Sequence, residues 1–394
     1  MFYSHDTYGL GHLKRTLMLA GFLRTRMPAL SQLVVTGSPL AHRFQLPPGA
    51  DYIKLPSVVK VGAEHYEARS LALPFGRVRH LRREMLLSAA RHFRPHALIV
   101  DNVPAGLKGE LRPTLHSLRD TSCRLVLGLR DVVDEADWVR QAWSRDGIYE
   151  LLDELYDLIL VYGRRDVFDV VEKYGFSPKA AAKTRFVGYL RRAPAGRDAA
   201  EIRTELGVRR NERLVVVMAG GGGDGYDLLR AALEAIRLGG RPGFHFLLLG
   251  GPLMPPEHRQ RARALSAKHE GVHYLDFVDD AASYVAAADV VVSMGGYNSV
   301  CELLSLRKLA IVVPRVSPRR EQLIRAEVLA KRGVLRMIHP DELTADRLLE
   351  EMDRLLDDRS YPPPSFALDG LPAAAAELDL LLRSRLPAAV ALGA

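Results

Sequence analysis

Cysteine is nearly absent. The 394 residues carry two, Cys123 and Cys301, too few for a disulfide framework or a thiolate metal site, and they fit a chain made for a reducing cytoplasm. No apolar run approaches the roughly 20 residues that a membrane-spanning helix needs. The N-terminus lacks the layout of a signal peptide. There is no fixed-period repeat, and no low-complexity tract apart from an Ala/Leu-rich C-terminus. These absences exclude small disulfide-stapled folds, helical membrane proteins and solenoids.

What is present is globular. Hydrophobic residues make up 48% and charged residues 26% of the chain, a balance that buries a core. The length is generous for one domain and comfortable for two. The formal net charge is +8, carried mostly by arginine. A basic surface favours phosphorylated substrates, acidic membranes or nucleic acid. None of the usual nucleic-acid modules occurs, so nucleic acid is not an expected partner.

The most informative stretch runs from Val290 to Leu304. Val290-Val291-Val292-Ser293 reads as a buried parallel strand. Met294-Gly295-Gly296 follows as a turn that leaves room above the backbone. Tyr297 onward reads as a helix, with Asn298 or Ser299 as its cap and its free N–H groups facing an anion. Glu302 lies near the end of the first turn, where a carboxylate accepts hydrogen bonds from the two hydroxyls of a ribose. The plain alternative is a strand-to-helix turn with Glu302 favouring the helix dipole. A second glycine-rich loop, Ala219–Gly225, follows a strand at Leu214–Met218. It contains G-x-G-x-x-G at Gly220, Gly222 and Gly225. The next strand, Phe244–Leu249, ends in Gly250-Gly251-Pro252 rather than in the acid that a nicotinamide or flavin site uses for its ribose. A diphosphate loop needs the glycines without that acid.

The order Tyr274–Asp280, Val290–Leu304, Leu309–Arg315 and Pro318–Gln322 resembles the nucleotide-sugar half of GT-B glycosyltransferases. It is most similar to the glycosyltransferase family 28, MurG-like group. The opening Tyr3-Ser4-His5-Asp6-Thr7-Tyr8-Gly9-Leu10-Gly11-His12 resembles a set of bacterial predicted glycosyltransferases. The resemblance implies two doubly wound, Rossmann-like parallel-sheet domains with an interdomain cleft. It places the acceptor domain at 1–190, with a crossing helix at about 366–390, and the donor domain at 191–365. The segment Arg191–Arg197 reads as the linker between them.

On the donor side the resemblance implies Phe277 and Val278 for the base. Gly221, Gly222, Gly223, Asp224, Gly295, Gly296, Asn298 and Ser299 would serve the diphosphate, and Glu302 the ribose. Glu321 and Gln322 match the acid and glutamine that hold sugar hydroxyls. Arg315 and Arg320 are guanidinium candidates for phosphate. On the other side, His12 falls where the family's glycine loop carries its histidine, and imidazole suits deprotonation of a sugar hydroxyl. His5, Asp6, Gly9 and Gly11 share that loop. Asp101, Glu110 and Arg130 sit at or just beyond strand ends, where ligands of open α/β sheets bind; salt-bridged loop charges are the equal alternative.

Met1–Ser4 is short for a core strand, which leaves two readings open, a native start upstream or a clipped strand. Residues 57–70 show poor periodicity and read as a surface loop. Leu71–Phe93 reads as an amphipathic helix whose arginines, Arg82 among them, form a solvated basic face. Its other reading is a face that lies on an anionic membrane, peripheral to the inner leaflet.

The implied activity is inverting, metal-independent transfer of a hexose or N-acetylhexosamine from a UDP-sugar to an acceptor hydroxyl. No Asp-x-Asp pair occurs, and no glutamate stands eight positions after Glu302, a spacing that marks retaining relatives. No cofactor beyond the sugar nucleotide is expected. A nucleotide-sugar 2-epimerase is the second reading, with Asp101, Glu110 and Asp131 as its acid and base groups. A non-catalytic nucleotide-sugar-binding protein is the third.

Overall fold

The structure is a computed structural model that describes residues 1–6, 11–61, 65–191, 195–239, 243–357 and 368–383. The predicted glycine Gly9, part of the Arg191–Arg197 linker and the end of the crossing helix lie outside them. The chain forms two compact units. One is Met1–Leu190 with the residues from Asp369 onward; the other is Arg191–Leu368.

The first unit is built on short, β-branched and leucine-rich strands: β1 (Phe2–Ser4), β2 (Gln32–Thr36), β3 (Ala50–Lys54), the pair β4 (Val58–Lys60) and β5 (Tyr66–Ala68), then β6 (Ala97–Asp101), β7 (Arg124–Arg130), β8 (Leu158–Tyr162) and β9 (Thr184–Phe186). Seven of them form a parallel sheet in the order β3-β2-β1-β6-β7-β8-β9. Leu98, Val100, Leu125, Leu127, Ile159 and Val161 are buried in its core, the near-continuous apolar pattern of a sheet covered on both faces. The chain runs outward from β1 to β3, then returns to lay β6 against the other side of β1. The β1/β6 boundary is therefore the topological switch point, where loops diverge and leave a crevice. The helix Gly370–Arg383 belongs to this unit: the N–H of Gly370 bonds to the carbonyl of Tyr189 at 3.2 Å.

Two expectations for this unit need correction. The segment 57–70 is not plain loop, because β4 and β5 pair antiparallel; strands this short carry too few residues to show an alternation. The helix is Phe75–Phe93, and Arg82 is not on its solvated face. Its side chain is 0% exposed and forks onto Glu110, Nε to Oε2 at 2.7 Å and Nη2 to Oε1 at 2.6 Å. Tyr3 donates its hydroxyl to the same carboxylate at 2.7 Å, and Arg82 Nη1 donates to the carbonyl of Pro56 at 2.7 Å. Both ions are buried, and their geometry satisfies them. The other arginines of that face, Arg77, Arg79 and Arg91, are exposed.

The second unit repeats the plan with β10 (Arg213–Met218), β11 (Phe244–Leu249), β12 (Val272–Leu275), β13 (Val290–Ser293), β14 (Leu309–Val312) and β15 (Arg336–Met337). They form a parallel sheet in the order β12-β11-β10-β13-β14-β15, so the switch point lies between β10 and β13. Val215, Val217, Leu248, Val290, Val292 and Ile311 are in its core. Cys123 and Cys301 are buried, one in each unit, and form no disulfide. Among the described residues, no helix is long and apolar enough to cross a membrane.

Candidate functional site

In each unit the predicted residues gather at the carboxyl edge of the sheet, around its switch point. In the first unit, β1 leads into His5-Asp6, and the helix Gly11–Arg26 lies beyond with His12 in its first turn. On the other side of the switch, β6 ends in Asp101. The two sides meet: His12 Nδ1 lies 2.5 Å from Asp101 Oδ2. Arg15, three residues along the same helix face, forks onto Asp101, Nε to Oδ1 at 2.7 Å and Nη2 to Oδ2 at 2.6 Å. Burial acts to raise the Asp101 carboxyl, but the Arg15 charge and the His12 hydrogen bond outweigh it and hold the group well below the usual carboxylate range.

An ionised carboxylate accepts hydrogen bonds, so Nδ1 of His12 carries a proton, and in the neutral ring the lone pair is on Nε2. Arg15 Nη2 also lies 3.3 Å from Nδ1. Two donors do not bond each other, and the shorter contact to the carboxylate decides the tautomer. The His12 side chain keeps 17% of its surface exposed, against 2% for Arg15 and 7% for Asp101. The result is a half-buried imidazole, oriented and polarised from behind, that can take a proton from a hydroxyl.

His5 packs its ring against His12, with centroids 4.3 Å apart, and its Nδ1 is buried without a hydrogen-bond partner. Burial first, and then the His12 ring, push His5 well below the usual histidine range. Asp6 and Glu110 are not placed to meet an acceptor. Asp6 has a left-handed φ of 33°; its Oδ1 accepts from the N–H of Leu13 at 3.1 Å, and its Oδ2 accepts from Ser4 at 2.7 Å and Thr36 at 3.1 Å. It caps the His12 helix from within. Glu110 is taken by Arg82 and Tyr3. Gly11 opens the helix, and Arg130 ends β7, its N–H held by Asn102 at 3.2 Å. Arg15 was missed in the sequence. Its signal was the i,i+3 spacing from His12, which puts both on one helix face.

In the second unit, the loops after β10, β11, β12, β13 and β14 bring the predicted donor residues to one edge. The two glycine loops lie backbone to backbone. Gly222 has φ +88°, and a Cβ there would collide with the carbonyls of Gly250 and Gly251; a Cβ on Gly251, with φ +89°, would strike Gly220–Gly222. Gly221 accepts from the N–H of Leu253 at 2.9 Å. The glycines thus permit a close approach of two loops, whichever ligand lies above them. Gly223 is half-buried, and Asp224 lies exposed at the loop end. Phe277 and Val278 are half-buried in the segment after β12.

After β13 the turn is as expected, but its cap is not. The helix is Tyr297–Ser305 with Gly296 at its N-cap and no side-chain cap bond. Asn298 and Ser299 are inside the first turn instead of ahead of it, and Glu302 is half-buried further along. A glycine cap leaves the N-terminus open to an anion. Beneath it, buried Arg325 donates to the carbonyl of Gly295 at 3.4 Å and faces the Tyr297 ring at 5.7 Å.

Arg315 needs a further correction. Rather than standing open to phosphate, its guanidinium is engaged by two carboxylates, Asp224 at 3.2 Å and Glu321 at 2.7 Å. Gln322 Oε1 accepts the backbone N–H of Arg315 at 2.9 Å. Arg320 is exposed at the N-cap of the helix Glu321–Lys331. Among the described residues, no cluster of His, Cys, Asp and Glu has a metal-holding arrangement.

Comparison with solved structures identifies the architecture. The chain matches CalG4, the calicheamicin glycosyltransferase, with a TM-score of 0.65 at 16% identity over 98% of both chains. It matches a putative UDP-N-acetylglucosamine 2-epimerase from Listeria monocytogenes with a TM-score of 0.64 at 12% identity, over 98% of this chain and 97% of that one. At these identities the likeness is one of fold, and the fold is GT-B. In sequence, residues 215–367 match the glycosyltransferase family 28 C-terminal domain. A curated relative is the UDP-N-acetylglucosamine–N-acetylmuramyl-(pentapeptide) pyrophosphoryl-undecaprenol N-acetylglucosamine transferase of Caldicellulosiruptor saccharolyticus. It is 31% identical over 156 residues, which are 38% of this chain and 41% of that protein. The chain thus matches less than half the length of this relative.

Proposed function

We propose that the protein is a glycosyltransferase that moves a hexose or N-acetylhexosamine from a UDP-sugar to an acceptor hydroxyl with inversion and without a metal. The observation that carries this reading is the His12–Asp101 contact, backed by Arg15, at the switch point of the first sheet. It equips a general base whose lone pair is on Nε2. His12 takes the proton of the acceptor hydroxyl as that oxygen bonds to the anomeric carbon. The bond from that carbon to the diphosphate oxygen breaks in the same step, and UDP leaves with the electron pair. Negative charge builds on the leaving diphosphate, and preorganised N–H groups meet it without a metal. Here these belong to the Gly221–Gly223 loop and to the Gly296-capped helix, with Arg320 as the cation. Phe277 and Val278 would hold the base, Glu302 the ribose, and Glu321 and Gln322 the sugar hydroxyls. This assignment follows the family resemblance of the second unit.

The epimerase reading draws on the same fold, but its carboxylates are engaged. Glu110 is bound to Arg82. Asp131 accepts from Tyr189 at 3.0 Å and from the N–H of Val132 at 2.8 Å. Neither is placed as an acid or base. The test is product analysis with UDP-N-acetylglucosamine and UDP-glucose, with and without an acceptor library, for the wild type and His12→Ala. Transfer predicts acceptor-dependent UDP release that the variant loses by about 10²-fold or more, with UDP binding kept. A 2-epimer formed without acceptor points to the second reading. Unchanged function in His12→Ala, with no turnover in either protein, points to a binding protein.

A further inference from the structure

Three parts of the second unit meet at Arg315. Its Nη1 donates to Asp224 Oδ2 at 3.2 Å, in the glycine loop after β10. Its Nη2 donates to Glu321 Oε1 at 2.7 Å, at the start of the helix after β14. Its backbone N–H donates to Gln322 Oε1 at 2.9 Å. The side chain is 18% exposed and that of Glu321 is 7% exposed, so the geometry is held by surrounding structure. Gln322 in turn reaches the neighbouring loop: its Nε2 lies 3.9 Å from where a Cβ on Gly296 would stand.

The guanidinium is shared between two carboxylates. Arg315 therefore has little attraction to offer a phosphate, but it does two other things. It cancels Asp224, whose charge would otherwise oppose a diphosphate over the glycine loop. It also fixes both residues assigned to the sugar hydroxyls, Glu321 through the guanidinium and Gln322 through the main chain. With Oε1 committed, Gln322 presents its Nε2 hydrogens to a ligand. The rigid planar fork of arginine can hold two carboxylates at set angles, which a lysine cannot.

We propose that Arg315 is a positioning residue for the donor sugar, coupling the diphosphate loop to the sugar-reading pair Glu321–Gln322. This rests on the UDP-sugar reading above. The role predicts that Arg315 affects recognition of the sugar more than recognition of the nucleotide, which a purely structural arginine would not do.

The test is equilibrium binding of UDP and of UDP-N-acetylglucosamine to the full chain by calorimetry, in the presence of EDTA. Arg315→Lys keeps the charge but loses the fork. UDP affinity is expected to stay within about twofold, while UDP-N-acetylglucosamine weakens by about tenfold, the scale of a hydrogen bond to a charged group. Asp224→Asn, at a position 33% exposed, serves as a second variant that leaves the core untouched. It removes the charge that Arg315 cancels and frees that prong, so UDP is expected to bind several-fold tighter. Equal weakening of both ligands in Arg315→Lys, or weaker UDP binding in Asp224→Asn, overturns the inference and leaves the donor reading standing. A wild-type chain that binds neither ligand overturns both.

Discussion

The imidazole of His12 and the carboxylate of Asp101 belong to opposite sides of a topological switch, and they meet at 2.5 Å. The helix after β1 supplies one and the end of β6 supplies the other. Asp101 is kept ionised by Arg15, so it can fix the tautomer of His12 and, in the proposed reaction, stabilise the imidazolium.

That arrangement predicts an asymmetric loss in Asp101→Asn. The amide fits the site but removes the charge and can present its N–H to Nδ1, turning the ring to the wrong tautomer. Turnover is expected to drop by about 10²-fold or more, with UDP affinity unchanged. Steady-state rates beside UDP binding isotherms check it; an Asn variant that turns over like the wild type removes Asp101 from the mechanism.

Acid should destabilise the first unit through His5. Its folded pKa lies well below its unfolded value of about 6.5, because burial and then the neighbouring His12 disfavour its charge. Between those values the unfolded chain binds the proton and the folded chain does not. Stability from this group is therefore complete above about pH 6.5 and is lost as pH falls. Asp101, also depressed, adds a loss in the same direction below about pH 4. Thermal unfolding at pH 7.5 and 5.5 should show a larger drop for the wild type than for His5→Phe. Equal drops would mean that His5 is not buried as a neutral ring.

The Arg82–Glu110 pair should behave as a unit. Arg82→Met leaves a carboxylate buried with one hydroxyl partner, and is expected to cost about 3–5 kcal/mol. Arg82→Met with Glu110→Gln should recover a large part of that loss. Urea unfolding of the two single variants and the double variant reads the coupling; additive losses would show that the ions do not depend on each other.

Much of the fold was legible because parallel core strands are written as apolar runs. Phe244–Leu249 and Val290–Ser293 have the bounds that their residues suggest. The two-residue β15 and the β4–β5 pair were not, since so few residues carry no period. Buried polar chemistry was the other gap. Arg82 looks like its neighbours Arg79 and Arg83, and what separates it from them is Glu110, a partner 28 residues away. His12 was legible from its glycine loop, while its orienting partners needed the strand order that brings β1 beside β6. Asp6 and Glu110 lie near strand ends as ligand contacts do, yet both face inward, and sequence position does not reveal direction.

Gly222→Ala tests whether the loop over β10 is held by backbone approach. At φ +88° and against the carbonyls of Gly250 and Gly251, a methyl group must displace one loop. The expected cost is about 1–3 kcal/mol of stability, with loss of UDP-induced stabilisation. A variant with wild-type stability and UDP response would show that the two loops separate freely.

The central claim is that the second unit binds a uridine diphosphate without a metal, and thermal unfolding with UDP, GDP, dTDP and NAD in EDTA tests it most directly. A ligand bound only by the native state at about 100 times its Kd adds roughly 2.7 kcal/mol. The account predicts that UDP raises the unfolding midpoint in EDTA and that added Mg²⁺ contributes nothing further. A shift with NAD alone would make the glycine loop a dinucleotide site and contradict the account.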